Sequence, residues 1–367
     1  MQANETTAPA KAVQFAAIDP YLETNIVTGE EVEQRGQEYV CWGADNDFPG
    51  YLLGLRDGVP TLGSIINGCT DYCVGNGGTM AVEAPIMGVG FRKDVGLDEF
   101  LAGAFRAWWT YGCTPFEVIR TQDGAGVAAI NVLDPRFVRS DKEGTKFWYS
   151  EKWADKYSRK ARLLVLPKWM KAGKMERSIY YVKNTNDRTY PVPVYGPALV
   201  ACDIERRVGR YHLNAIANGF SASYFINFSN GIPNDAQKDE IVKSVKEKFT
   251  GDENAGRIFV NFTDDRLHGV EVKKMEIDDW GHKYSELQKY SRAQIFTSFR
   301  ATPILFGIVA ETSLIGAEQN YADAFELFNR TMIRPAQRVI LTALDRILGV
   351  DGAVTIEPFT MEDRAND

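Results

Sequence analysis

Two helical stretches with apolar seams flank a short insert that has strands of its own, and this arrangement most constrains the fold. Residues 198–218 place Val200, Ile204, Val208, Tyr211 and Ala215 at steps of four, four, three and four, with Pro197 at the start. Asp203, Glu205, Arg206, Arg207 and Arg210 fall outside that stripe, and Asn218-Gly219 supplies ordinary helix-ending chemistry. Residues 276–300 repeat the pattern with Ile277, Trp280, Tyr284, Leu287 and Ser291. Between them lie strand-like runs at 223–228, 257–262 and about 270–273, with a charged helix over about 233–249, so the insert predicts a compact β-α-β-β unit. A stalk carrying a cap fits this order; periodicity alone fits two core helices of one domain equally well.

The chain of 367 residues can hold one large domain or a few smaller units. Residues 1–14 are small and polar without an apolar core, so they read as a flexible arm and not a signal peptide. No run of about 18 apolar residues occurs, so no membrane partner is expected. The net charge of −7 argues against a broad basic face that grips phosphate. It suits a wall past which a polyanion slides, because each Lys or Arg contact to phosphate adds affinity and therefore friction.

Catalytic patterns are missing. The three histidines, His212, His268 and His282, form no H-E-x-x-H, and no G-x-x-x-x-G-K-[ST] phosphate loop occurs. Gly75-Asn76-Gly77-Gly78 and Asp123-Gly124-Ala125-Gly126 read as turns. Asp45-Asn46-Asp47 lacks the later ligands of a calcium loop, and Asp47 before Phe48-Pro49 suits a helix cap. Asp278-Asp279 suits a helix first turn, and Asp264-Asp265 has no partner motif. Cys69 and Cys73, four apart, lack the second pair that zinc needs and read as small buried residues; the odd total of five cysteines argues against a disulfide framework. The sequence therefore predicts no cofactor, no metal and no enzyme.

Elsewhere, helix is expected over 48–75 with interruptions and over 97–111, followed by a hairpin of strands 115–121 and 127–133. Phe147-Trp148-Tyr149 and the runs 162–166 and 179–182 add strands. A long helix over about 317–348 carries Tyr321, Phe325, Phe328, Met332, Val339 and Leu344, with a kink expected at Pro335.

In this order the pieces resemble tailed-phage portal proteins. The resemblance rests on Trp42-Gly43-Ala44-Asp45-Asn46-Asp47-Phe48-Pro49, Asp134-Pro135-Arg136, Gly196-Pro197-Ala198-Leu199, Tyr211-His212-Leu213-Asn214 and Asn218-Gly219-Phe220-Ser221-Ala222-Ser223. It continues through Lys246-Glu247-Lys248-Phe249-Thr250-Gly251, Glu253-Asn254-Ala255-Gly256 and Pro303-Ile304-Leu305-Phe306-Gly307, spanning roughly residues 40 to 348. The resemblance implies an α+β portal-like fold: an α/β wing over 15–195 and 295–348, a two-helix stem at 196–219 and 275–294, and a clip at 220–274. It further implies a tunnel loop at 306–317 and a short acidic tail at 349–367, with the crown reduced or absent.

On that resemblance Ile308, Val309, Glu311, Thr312, Ser313 and Leu314 face DNA from the tunnel loop. Glu205, Arg206, Arg207 and Arg210 serve the channel or subunit contacts of the stem. Lys238, Lys243, Lys246 and Lys248 on the clip offer a partner-docking face, although interleaved Asp239, Glu240 and Glu247 also fit a solvated face with i, i+4 pairing. The implied assembly is a homo-oligomeric ring, dodecameric, at a capsid vertex of the virion, built in the bacterial host cytoplasm. Its implied partners are double-stranded DNA, the terminase large subunit, the major capsid protein and a head–tail adaptor. The alternatives are a metal-dependent nucleic-acid-processing enzyme, which nuclease assays discriminate, and an oligomeric scaffold unrelated to DNA.

Overall fold

Asn46 sits in the left-handed region with φ 61°, a conformation its short polar side chain tolerates, and this turn organises the start of the chain. The structure is a computed structural model that describes residues 29–153, 163–171, 176–217, 221–228, 240, 256–262, 271–274, 280–307 and 317–359. Strands β1 (Glu31–Glu33) and β2 (Val40–Trp42) form an antiparallel ribbon. Beyond the Asn46 turn come helices α1 (Phe48–Gly58) and α2 (Pro60–Val74), the expected helical region broken at Val59. Asp47 occupies the N-cap position of α1 as expected, but its side chain makes no capping hydrogen bond. Burial and the neighbouring Asp45 push its carboxyl above the ordinary range.

Strands β3 (Gly78–Met80), β4 (Ile86–Val89) and β5 (Arg92–Lys93) follow, then α3 (Leu97–Tyr111), β6 (Cys113–Arg120) and β7 (Val127–Val132). The hairpin expected across Asp123-Gly124 is present, with Phe116 opposite Val132 and Gly124 at φ 70°. Further on, β8 (Val138–Ser140), β9 (Lys146–Tyr149) and β10 (Leu164–Pro167) make a three-stranded sheet in the order β10-β9-β8. Strand β11 (Arg177–Lys183) joins the main five-stranded sheet, ordered β11-β6-β7-β4-β5. In that sheet only the β4–β7 pair is parallel.

One hydrophobic core binds α1, α2 and α3 to this sheet. Leu52, Leu55, Leu62, Ile65, Ile66 and Cys69 supply one side and Phe100, Phe105, Phe116 and Ile130 the other. Cys69 and Cys73 are both buried here, and burial pushes the Cys73 thiol up to about 12.

The C-terminal helical run has three parts: α6 (Ala317–Phe328), a π-helical turn (Asn329–Ile333) and α7 (Arg334–Leu348). The interruption expected at Pro335 thus takes the form of a widened turn just before it. Proline lacks the amide and crowds the preceding carbonyl, and an extra residue in the turn relieves both constraints. Residues beyond Gly349 are not simply a tail. Strand β15 (Val354–Ile356) pairs with β3, and Glu357 exchanges backbone hydrogen bonds with Asn76 and Gly77 at 2.9 Å each. Gly75, at φ 63°, permits this closeness, since a Cβ there would lie 2.2 Å from the Glu357 carbonyl oxygen.

Arg139 on β8 ties the two halves of this region together. It is fully buried, and its Nε and Nη2 donate to the Oδ1 and backbone oxygen of Asn46, each at 2.5 Å. Its Nη1 donates to the carbonyls of Val138 at 2.8 Å and Arg136 at 3.0 Å, and its guanidinium lies 4.8 Å from the Trp153 ring centre. Burial works to lower its pKa, and among the described residues no carboxylate accepts from it directly. Arg139→Met removes these donors, although Asn46 Oδ1 keeps the Trp42 amide and the Arg136 carbonyl keeps the Trp153 indole. It is expected to cost about 1–3 kcal/mol, read as a fall in the midpoint of chemical unfolding.

Candidate functional site

The candidate site is the helical pair that leaves the core. Its first helix, α4 (Leu199–Ala217), follows a short turn at Gly196–Ala198 in which Pro197 fixes the starting geometry. Its second, α5 (Trp280–Ser298), lies alongside α4, with the His212 and Tyr284 rings in contact at 5.8 Å. Between them the strands expected in the insert are present: β12 (Ser221–Phe228), β13 (Gly256–Phe262) and β14 (Glu271–Lys274). β12 is central, parallel to β13 and antiparallel to β14. A parallel pair needs a crossover connection, and the charged helix expected at 233–249 falls on that connection.

The buried face of α4 differs from the seam read off the sequence. Val200 is 49 % exposed, whereas Ala201, Cys202, Glu205 and Val208 are buried, together with Asp203. Hydropathy predicts the seam, but two carboxylates occupy the inward positions because α1 and α2 present donors to them. Val59 at the N-cap of α2 has no side-chain oxygen to offer the exposed amides of the first turn. Glu205 fills that role from a distant part of the chain: its Oε1 accepts from the Thr61 hydroxyl at 2.8 Å and the Thr61 amide at 3.3 Å. Its negative charge meets the positive end of α2.

Asp203 accepts from the Tyr51 hydroxyl at 3.1 Å and pairs with Arg206, whose guanidinium lies 5.9 Å from the Tyr51 ring centre. Of the four charged stem residues singled out, Glu205 and Arg206 are therefore engaged within the subunit. Arg207 and Arg210 are exposed.

α5 is rooted at its other end. Ile295, Phe296 and Phe299 are buried, Phe299 stacks on Tyr195 at 5.7 Å, and the Tyr195 hydroxyl donates to the Thr110 carbonyl at 2.7 Å. In the expected seam Ser291 is buried and Tyr284 half-buried, but Leu287 is 42 % exposed, and Ile277 lies outside the described residues. The pair thus stands on a packed base and carries Leu213, Leu287 and Tyr290 exposed along its length.

Beyond α5 a short turn at Pro303–Phe306 leads to Gly307, at φ 77°. Phe306 packs against Tyr72, Phe296 and Phe328, and the Tyr72 hydroxyl donates to the Leu305 carbonyl at 2.7 Å. Phe359 closes the same cluster against Tyr72 and Phe325. The loop residues Ile308, Val309, Glu311, Thr312, Ser313 and Leu314 lie outside the described residues, as do Lys238, Lys243, Lys246 and Lys248. Sequence reasoning missed Arg139 and the inward role of Glu205. The one available signal was Val59-Pro60, a helix start with no capping side chain of its own.

A double-mutant cycle with Thr61→Val and Glu205→Gln is expected to give a coupling of about 1–3 kcal/mol in unfolding free energy. Additivity within error would show that the α2–α4 contact carries no stability.

Comparison with known proteins completes the site. The family model described as phage portal protein matches residues 95–362, a span that includes α4, the insert, α5, the loop and α7. A subunit in the neck of a native GTA particle computed with C12 symmetry is 17 % identical with a TM-score of 0.55, covering 92 % of this chain and 87 % of that one. A chain from the virion of a native gene transfer agent particle is also 17 % identical with a TM-score of 0.54, covering 86 % and 84 %. An HK97-family phage portal protein from Corynebacterium diphtheriae is 10 % identical with a TM-score of 0.53, covering 86 % of this chain and 98 % of that one. No curated protein sequence matched. With the family model covering well over half of its length, the chain belongs to the phage portal protein family.

Proposed function

We propose that α4 and α5 form the stem of a portal ring, that residues 220–274 form its clip, and that residues 306–317 form a loop facing double-stranded DNA in the channel. Family membership makes the chain a structural, ring-forming component of the virion, associated with the capsid, and not an enzyme. The observation that carries the reading is the continuous family match from 95 to 362, which takes in the helical pair, the insert and the loop together. The exposed apolar residues on the helical pair support subunit packing along it. Twelve copies fit the symmetry of the neck with which the chain shares its fold.

In this reading DNA enters and leaves through the ring, driven by a separate terminase whose large subunit docks at the clip. The major capsid protein surrounds the wing, a head–tail adaptor joins later, and assembly takes place in the host cytoplasm. Exposed Arg207 and Arg210 serve contacts between neighbouring stems or face the channel. Lys238, Lys243, Lys246 and Lys248 serve docking at the clip.

Negative-stain imaging and light scattering of the purified chain are expected to show rings with a central hole at high concentration. Strictly monomeric behaviour at every salt and concentration would remove the reading. Glu311→Lys places a phosphate ligand in the loop of every subunit. Rings should form normally while DNA passage slows, with the defect easing as salt rises. Packaging at the wild-type rate in low salt would show that the loop does not face DNA.

A further inference from the structure

A cleft of about 710 Å³ opens between α7 and the strands β8, β9 and β11, away from the helical pair. Six cationic side chains line it: Lys142, Lys168, Lys183, Arg188, Arg338 and Arg346. Three carboxylates, Glu31, Glu143 and Asp187, are interspersed among them. The chain as a whole carries −7, so this cleft has the opposite sign to the protein that contains it.

The cations are not all spent within the subunit. Lys142 pairs with Glu33 at 2.7 Å, and the Lys183 amine donates to the carbonyls of Arg188 and Thr189. Among the described residues Arg346 donates to the Tyr180 hydroxyl, at 3.2 Å. Lys168, Arg188 and Arg338 make no ion pair among the described residues. Arg338 and Arg346 project from α7, whose other face (Ala336, Ile340, Leu344, Ile347) is locked in the core. Two forked donors are therefore held on a rigid element, an arrangement suited to carboxylates.

We propose that this cleft is the socket through which one subunit holds an acidic surface of the next subunit in the ring. The proposal rests on the portal reading, because it needs a ring. A ring of identical chains closes through contacts between two different faces of the subunit, so a basic concavity on one face meets a different face of the neighbour. In a chain with excess negative charge, that face is on average acidic. A sliding polyanion fits less well, since Glu31, Glu143 and Asp187 interrupt the continuous positive surface that successive phosphates need. Tyr180, whose hydroxyl meets Arg346, adds the amphipathic surface common in protein contacts.

The test compares ring formation by the full-length chain, Arg338→Glu/Arg346→Glu and Lys168→Glu, across protein concentration, by native mass spectrometry and negative stain. Circular dichroism verifies that each is folded. Each variant is expected to raise the concentration needed for rings by at least about tenfold, as removal of complementary charge at an interface does. Lys168 stands on the strand side of the cleft and is exposed, so its variant still tests the socket if the α7 double variant fails to fold. Folded variants that form rings at the wild-type concentration overturn the proposal while leaving the portal reading intact. Variants that form rings normally but lose affinity for double-stranded DNA overturn it in favour of a phosphate site. A wild-type chain that never forms rings removes both readings together.

Discussion

The guanidinium of Arg139 is the interaction on which the start of the fold depends. A charge removed from water costs several kcal/mol unless its donors are met, and here the donors meet backbone carbonyls and one amide oxygen, with an aromatic face beside them. The same Asn46 Oδ1 also accepts from the Trp42 amide at 3.0 Å, so one side chain holds β2, the turn before α1 and β8 in a single network. Tyr190 reinforces it by stacking on Trp42 at 4.6 Å and accepting from the Ser140 amide at 3.0 Å. Two segments that carry the family resemblance, Trp42 to Pro49 and Asp134 to Arg136, are thereby neighbours in space. Their residues are joined to one another through the hydrogen bonds of buried Arg139.

From that base the helical pair is held by two kinds of contact. α4 is fixed through polar groups, Tyr51 to Asp203 and Thr61 to Glu205, whereas α5 is fixed by aromatic packing around Phe299. Polar contacts set direction and register, because each donor must find its acceptor, while the aromatic packing supplies buried area. The helical pair is thus fixed at its base and still carries Arg207, Arg210, Leu213, Leu287 and Tyr290 exposed.

The segment around the loop is framed in a similar way. Tyr72 on α2 gathers Phe306, Phe325, Phe328 and Phe359, so the turn before the loop, the helix after it and the returning C-terminal strand share one aromatic cluster. The π turn at Asn329–Ile333 lies one turn beyond, where Pro335 forbids regular hydrogen bonding. Phe306 thus joins α2, α6 and the C-terminal segment around Phe359 through one set of ring contacts.

Local periodicity determined much of this protein. Helices α1 to α3, the β6–β7 hairpin, the strands of the insert and the helical pair around it are all legible because a 3.6- or 2-residue repeat reports which side faces the core. The order of those elements carried the family resemblance as well. Hydropathy alone could not place Arg139, Asp203 or Glu205 inside, since a charged side chain is buried only when distant groups supply its partners, and Asn46, Tyr51 and Thr61 do so from 93 to 152 residues away. The return of residues 354–359 onto β3 and the Tyr72 cluster was hidden for the same reason, as was the gathering of six cations into one cleft. The sequence by itself determined the helices, the hairpin and the strands of the insert with their order. It did not determine the short strands β1 to β5, β8 and β15, which pairing with other segments creates. The tertiary structure also decided which charges turn inward, because burying a charge depends on partners that only the folded chain brings within reach.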